Sequence, residues 1–178
     1  MNTATICTAP RSRGCPARLV DYRSVDRDEV VRLLSGLPLL YAGAHEWLDR
    51  RLNDVVCRTA SCTLARVGNQ LAGIAIVTPK AGARVKLSTL FVAPEFRRRG
   101  LGDRLVRRCW NRWVLDGVCA AHVTVRIGRE DALHSLLAPF GFSFVTRAAN
   151  RYGVDQHEFV LQAKVVGKST DELLRRSV

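Results

Sequence analysis

The spacing of apolar residues in the first half of the chain predicts two helices followed by three strands. The alternating segment ARLVDYRSVD (17–26) predicts a first strand, and Asp26 is placed to cap an acidic helix start. Gly36 and Pro38 break that helix, and the segment 44–56 has apolar residues at helical spacing again. Three further strands are predicted at 61–67, 70–78 and 84–92, the first two joined by a hairpin turn at Gly68–Asn69.

The second half of the chain predicts helices and strands in alternation. From Gly100 to about Leu115 the apolar residues recur at helical spacing, and Asp116–Gly117 ends the helix. The nearly continuous apolar run 118–127 is typical of a strand buried on both faces, as in a parallel neighbour of a mixed sheet. The remaining predictions are a helix at 130–140, strands within 141–148 and 157–165, and a short last helix started by the capping-box pair Ser169 and Glu172.

This order of elements predicts a single α/β domain with a mixed central β-sheet flanked by helices. The length of 178 residues suits one domain with one core. We expect residues 17–166 to form the domain and residues 1–16 a flexible N-terminal tail. Residues 167–178 are expected to form a C-terminal tail or the short helix.

Hydropathy and cysteine spacing narrow the class of protein further. No apolar run reaches the roughly 18 residues that span a bilayer, and the polar N-terminal segment lacks the apolar centre of a secretory signal. We therefore expect a soluble, cytoplasmic protein with no membrane contact. The six cysteines form no C-x-x-C pair and no histidine stands at metal-ligand spacing, so we expect mostly buried free thiols and no metal site.

The net charge of +12 permits an anionic partner such as RNA, DNA or a coenzyme phosphate. Of the 28 basic residues, 24 are arginine and four are lysine. A GC-rich genome produces the same bias, so the charge does not by itself indicate a function.

The stretch FVAPEFRRRGLGDRL (91–105) carries the clearest chemical pattern. A strand ends at Val92, and three arginines lead into Gly100-Leu101-Gly102 at a helix start. The first helical turn offers unpaired N–H groups, glycine lets a phosphate approach the backbone closely, and arginine adds charge-assisted bonds. The pattern lacks the three glycines of a dinucleotide fingerprint and the G-K-[ST] of a P-loop. It predicts a pyrophosphate-binding turn built mainly from backbone amides.

The segment LSTLFVAPEFRRRGLGDRLV (87–106) resembles motif A of the GNAT superfamily of N-acetyltransferases, [QR]-x-x-G-x-[GA] after a strand ending in V-x-P. The order of elements from about residue 18 to 164 and the PFGF segment (139–142) are also similar to that family. The resemblance implies acetyl-CoA as donor, splayed central strands that pair with the pantetheine arm, and backbone amides that hold the pyrophosphate. The coenzyme-binding residues it implies are Leu90, Phe91, Val92, Arg97, Arg98, Arg99, Gly100, Leu101, Gly102 and Asp103.

Two residues that family members commonly use for proton transfer are replaced in this sequence. The glutamate of the motif A strand corresponds to Lys86, and the tyrosine four residues before the glycine of G-F corresponds to Leu137. The candidate substitutes are Ser88 on the motif A strand, Ser135 on the later helix and Tyr152 between the last two strands.

The resemblance implies an acyl-CoA-dependent N-acyltransferase that moves an acetyl group to a primary amine of a small molecule or a protein. The positive charge keeps open a toxin-like or RNA-directed enzyme that acetylates aminoacyl-tRNA. The replacement of the glutamate and the tyrosine keeps open a non-catalytic module that binds nucleic acid or a partner protein. A basic stripe of Arg104, Arg108 and Arg112 could meet the coenzyme 3′-phosphate or a nucleic acid backbone. Contact of RNA with the basic surface and a homodimer are also left open.

Overall fold

The computed structural model describes residues 16–36, 43–126, 130–148 and 158–166. In these ranges a seven-stranded mixed sheet has the order β1-β2-β3-β4-β5-β7-β6. Only β4 and β5 pair in parallel; the other neighbours are antiparallel. The strands are β1 (Ala17–Asp21), β2 (Ser61–Val67), β3 (Gln70–Lys80), β4 (Arg84–Val92), β5 (Ala120–Arg126), β6 (Ser143–Ala148) and β7 (Glu158–Lys164).

Helices cover both faces of this sheet, which confirms the predicted α/β class. In the described ranges the α-helices are α1 (Arg27–Leu33), α2 (Ala44–Val56), α3 (Leu101–Leu115) and α4 (Glu130–Leu137). Single 3₁₀ turns lie at Ser24–Asp26, Pro94–Phe96 and Ala138–Phe140. Each of these helices is too short or too polar to cross a lipid bilayer.

The apolar core consists of a main cluster on each face of the sheet. On one face, which we call the α3 core, α3 and the end of α4 bury residues such as Leu105, Trp113 and Leu137 against β3, β4, β5 and β7. On the other face, which we call the α1–α2 core, α1 and α2 bury residues such as Val30 and Leu52 against β2 and β3. In the described ranges, β5 and β7 contribute no residue to this second cluster, and β4 contributes only the half-buried Phe91.

The two central strands diverge, as the family resemblance implied. The parallel ladder between β4 and β5 contains only Arg84–Ala120, Val85–Ala121 and Lys86–His122. Beyond Lys86, the remainder of β4 continues to pair with β3 but has no register with β5. A gap therefore opens between β4 and β5 towards the carboxyl end of β4.

Two local predictions were wrong. The first strand ends at Asp21, and Asp26 makes no side-chain cap of α1. Its Oδ2 instead accepts a 2.8 Å hydrogen bond from the Arg23 amide, and its Oδ1 accepts one from Arg66 at 2.8 Å. Asp26 is only 4% exposed, so the buried carboxylate is satisfied by these donors. The predicted last helix at Ser169 and Glu172 lies outside the described residues.

Strand β5 was also predicted to be buried on both faces, and it is not. Ala121, Val123 and Val125 are buried in the α3 core, whereas His122 and Thr124 on the other face are only half-buried. The strand therefore presents polar side chains on the face opposite α3.

Candidate active site

The turn that joins β4 to α3 is fixed at both ends by packing. Ala93 donates a 2.9 Å backbone hydrogen bond to Ala72 on β3, and Phe96 donates one to Ala93 at 2.9 Å. Phe96 and Leu101 are buried with these two alanines in a small cluster of their own. The intervening residues 97–100 are exposed. We call residues 97–103 the glycine turn.

The backbone of the glycine turn leaves its amides available. The Arg97 amide donates to Pro94 O (3.2 Å), and the Arg104 amide donates to Gly100 O (3.1 Å). Between them, the amides of residues 98–103 donate to no backbone carbonyl within the described part of the chain. Arg98 (φ 55°) and Gly100 (φ 74°) are left-handed, and such turns direct successive N–H groups into an anion-binding concavity. The partial positive charge at the start of α3 adds to this.

The predicted arginines of the glycine turn make different contacts. Arg97 Nε donates a 2.9 Å hydrogen bond to Val92 O, and its guanidinium lies 5.8 Å from the centre of the Phe91 ring. Arg99 lies over Phe96 at 5.6 Å. These contacts hold Arg97 and Arg99 at the rim of the glycine turn. Their positive charge there attracts any anion that the turn binds.

The acidic residue of the turn is engaged within its own helix. The carboxylate of Asp103 pairs with Arg107 one turn along α3, at 3.0 Å. Because both side chains are well exposed, this pair contributes little to stability. The Asp103 backbone amide remains part of the run at 98–103 that has no backbone acceptor.

The two glycines of the motif are required for different structural reasons. Gly100 is left-handed, and a Cβ on it would meet nothing within 4 Å. Gly102 is instead confined by packing, since a Cβ there would lie 3.1 Å from Leu136 Cδ2 of α4. Gly100 therefore serves the backbone conformation, and Gly102 serves the close approach of α3 to α4.

The β5-facing edge of β4 forms the wall of the gap described above. Leu90 and Val92 pack towards the α3 core, and Phe91 packs towards the α1–α2 core. None of the three has a ladder partner on β5. Their position on this edge is the one that the resemblance assigns to residues pairing with an extended ligand.

Ser88 lies at a β-bulge of β4. Leu87 pairs with Val77 and Thr89 with Ile76, so Ser88 has no partner residue on β3. The Ser88 Oγ lies 2.8 Å from Thr78 Oγ1, and either hydroxyl can be the donor. The bulge also reverses the alternation of the strand, because Val85 and Leu87 precede it on the core face while Leu90 and Val92 follow it there.

A polar row crosses the sheet at the last register of the β4–β5 ladder, where the gap begins. The register joins Thr78 to Lys86, Lys86 to His122, and His122 to Gln162. Paired residues share a face, and this face is the one opposite α3. Sequence reasoning found Lys86 but missed His122, because the run 118–127 was treated as uniformly apolar. The available signal was the polar–apolar alternation from Ala121 to Val125.

The other predicted catalytic residues do not converge on this row. Ser135 is exposed on α4. Tyr152 lies outside the described residues. Leu137, at the family's tyrosine position, is fully buried in the α3 core. This position therefore supplies packing and no hydroxyl.

Each arginine of the predicted basic stripe of α3 has an oxygen partner within the protein. Arg104 donates a 2.7 Å hydrogen bond to Ala17 O, and Arg108 pairs with Asp21 at 2.9 Å. Both partners belong to β1, the edge strand of the sheet. Arg112 pairs with Asp116 at the end of the same helix, also at 2.9 Å. The stripe is thus committed to contacts within the protein.

The prediction of buried free thiols is confirmed for two of the four cysteines that the structure describes. Cys62 and Cys109 are buried, and burial raises the pKa of each thiol, that of Cys109 to about 12. Cys57 and Cys119 are exposed. No group of three or more potential metal ligands occurs among the residues that the structure describes.

Comparison with known proteins places this geometry in a family. Residues 58–143 match the family model for an acetyltransferase (GNAT) domain. This match, over just under half of the chain, confirms the GNAT resemblance that motif A carried. A comparison with curated protein sequences gives no match.

Solved structures of low sequence identity share the fold. The ribosomal-protein-S18-alanine N-acetyltransferase from Escherichia coli has a TM-score of 0.70 at 16% identity, over 88% of this chain and 98% of that one. The aminoglycoside 6′-N-acetyltransferase from Enterococcus faecium has a TM-score of 0.67 at 14% identity, over 85% and 99%. A GNAT acetyltransferase from Elizabethkingia anophelis with acetyl-CoA bound has a TM-score of 0.66 at 16% identity, over 83% and 97%. The expected enzyme class and co-substrate, an N-acyltransferase that uses acetyl-CoA, are those of this family.

Proposed function

We propose that the protein is an N-acetyltransferase that transfers the acetyl group of acetyl-CoA to a primary amine of a small molecule or a protein. The observation that carries this proposal is the run of amides at 98–103, which has no backbone acceptor and lies directly beside the open edge of β4. Coenzyme A matches this arrangement, because it has an anionic pyrophosphate at one end and an extended, amide-bearing arm at the other. The family match supports the same co-substrate.

In this proposal the glycine turn binds the coenzyme pyrophosphate through its amides, assisted by the helix dipole and by Arg97 to Arg99. The pantetheine arm then runs along Leu90, Phe91 and Val92, where β4 lacks a neighbour. The Val92 carbonyl already accepts a hydrogen bond from Arg97, so that side chain ties the turn to the strand. The thioester would lie near the point where β4 and β5 diverge.

A primary amine is mostly an ammonium ion near neutral pH, so the chemistry first requires loss of one proton from its nitrogen. We assign its removal to His122, which is half-buried on the polar row where the gap begins. Among protein side chains, a neutral imidazole is best suited to accept a proton near neutral pH. The freed amine lone pair forms the C–N bond with the thioester carbonyl carbon, the C–S bond breaks, and the thiolate leaves with the electron pair. The second nitrogen proton neutralises the thiolate through water.

The proposed acceptor is a primary amine of a small molecule or a protein. Two of the three proteins of similar fold are named for acetylation of a ribosomal-protein alanine and of aminoglycosides, which supports a primary amine as the common group. The RNA-directed alternative loses one of its arguments, because Arg104 and Arg108 are held by β1. It is therefore second to a small-molecule or protein amine.

Calorimetric titration of the full chain with acetyl-CoA tests the proposal. We expect saturable binding that Gly100→Ala weakens by about tenfold, since a left-handed alanine costs roughly 1–2 kcal/mol and displaces the amides. Gly117→Ala is the matched control: Gly117 is also left-handed, with open space around a Cβ, but lies at the far end of α3. Absence of acetyl-CoA binding to the unmodified chain, or equal losses in both variants, would contradict the proposed function.

A further inference from the structure

A cluster of basic side chains occupies the sheet face opposite α3. The register joins Lys80 to Arg84, Arg84 to Ala120, and Ala120 to Lys164. This row lies directly next to the row that contains Lys86 and His122. Since paired residues share a face, the cations of both rows lie together. We call Lys80, Arg84, Lys86, Lys164 and His122 the basic face.

The basic face is not explained by the overall charge of the chain. The composition favours arginine strongly, yet three of the four lysines in the sequence lie on this face. Strands β3, β4, β5 and β7 contain a single acidic residue, Glu158. It lies four residues along β7 from Gln162 and is 2% exposed. Lys80, Arg84 and Lys164 are exposed, so their positive charge is directed to solvent two residues along the strands from the point where the gap begins.

The size of the basic face favours a small ligand. Four strands spaced about 4.8 Å apart span about 14 Å, and two rows add about 7 Å along the strands. One or two carboxylate or phosphate groups fill such a surface. A nucleic acid bound through its backbone usually engages about six or more phosphates over a longer track.

We infer that the acceptor is a small primary amine that also carries a carboxylate or phosphate group, held by the basic face while its amine lies beside His122. This inference rests on the proposed function, since it names the acceptor class of the same site. The basic face then binds the anionic group at one end of a short molecule, and the amine at its other end lies beside His122. Attraction by the exposed cations brings the amine to His122, on the row where the gap begins.

Acetylation rates on matched pairs of amines test the inference. The purified full chain with saturating acetyl-CoA is given glycylglycine and its amide, which differ in the carboxylate, and O-phosphoethanolamine and ethanolamine, which differ in the phosphate. We expect kcat/KM to be at least about tenfold higher for one anionic member, because two or more exposed ion pairs each contribute up to about fivefold. The two pairs distinguish a carboxylate from a phosphate. The preference should fall as salt concentration rises.

Charge reversal on the face supplies the second measurement. Lys80→Glu combined with Lys164→Glu should abolish the preference for the anionic member and leave the affinity for acetyl-CoA unchanged. Arg32→Glu is the matched control, because Arg32 is an exposed cation on α1. The control variant should keep the full preference.

Several outcomes would overturn the inference. Equal or faster acetylation of the neutral members would do so, as would a preference that survives charge reversal. Preferential acetylation of an aminoacyl-RNA over every small acidic amine would assign the face to nucleic acid instead. If no amine is acetylated although acetyl-CoA binds, the acceptor inference is wrong and coenzyme binding stands. If acetyl-CoA does not bind, the proposed function itself is wrong.

Discussion

At the scale of single residues, the glycine turn combines one left-handed glycine with one left-handed arginine. Gly100 adopts its φ of 74° without steric cost, whereas Arg98 at 55° brings its Cβ close to a carbonyl oxygen. The sequence predicted the positive charge of Arg98 but not this backbone strain, because a run of three arginines carries no signal for a left-handed residue. Such strain is retained where the surrounding structure and a bound ligand require the conformation.

Arg98→Gly should separate the backbone of the turn from its charge. Relief of about 1–2 kcal/mol of strain is offset by about 0.5–1 kcal/mol of glycine entropy, so we expect the free energy of unfolding to stay level or rise slightly. Acetyl-CoA should bind at most a few-fold more weakly, since the amides remain. Urea unfolding and calorimetry measure the two effects.

Arg99→Gly is the control for Arg98→Gly, because Arg99 is also exposed but is not left-handed. It should lose stability as well as its contact with Phe96. A loss of acetyl-CoA affinity of a hundredfold or more in Arg98→Gly would show that the side chain, rather than the amides, carries the binding.

His122→Asn should change the pH dependence of catalysis. We expect kcat/KM at neutral pH to fall by about 10²–10⁴-fold, the usual contribution of a general base, with unchanged affinity for acetyl-CoA. In the unmodified chain the rate should fall as pH drops and the imidazole protonates. In the variant the rate should follow only the deprotonation of the amine and recover towards alkaline pH.

His134→Asn, on the exposed surface of α4, provides the comparison for this pH profile. It should leave the acidic limb of the profile in place. An acidic limb that is the same in His122→Asn as in the unmodified chain would rule out His122 as the proton acceptor.

At the scale of elements, α3 shows what periodicity predicts and what it does not. Its inward positions were predicted from helical spacing, and Leu105, Val106, Cys109 and Trp113 are buried as expected. Spacing could not predict the partners of its other faces. Arg104 and Arg108 bind β1, which lies more than eighty residues earlier in the chain. Contacts of this kind depend on tertiary arrangement rather than on local sequence.

Strands β4 and β5 likewise show which features the sequence predicts and which depend on the tertiary structure. The bounds of β4 were predicted from composition and a terminating proline, but the gap beside it came only from the family resemblance. The bulge at Ser88 had a signal in the sequence, since the apolar positions change from odd to even between Leu87 and Leu90. The role of His122 required the strand register, because the sequence alone does not place β5 next to β4.

At the scale of the whole molecule, the sheet carries two cores that share one set of strands. Cys62 on β2 lies in the α1–α2 core, and Cys109 on α3 lies in the other. Each thiol is buried, so neither ionises readily in the folded state, and burial raises both pKa values. The two cysteines therefore report on opposite faces of one domain.

If the two cores form one cooperative unit, both buried thiols should become reactive only when the whole domain unfolds. We expect iodoacetamide to modify Cys62 and Cys109 at the same slow rate at fixed pH, with both rates rising together with urea concentration, as site-resolved mass spectrometry can measure. The exposed Cys57 and Cys119 should react quickly at every concentration and serve as internal controls. Faster modification of Cys62 than of Cys109 would instead mean that α1 and α2 open independently. The helices on the proposed acceptor side would then be able to move while the coenzyme-binding half of the domain stays folded.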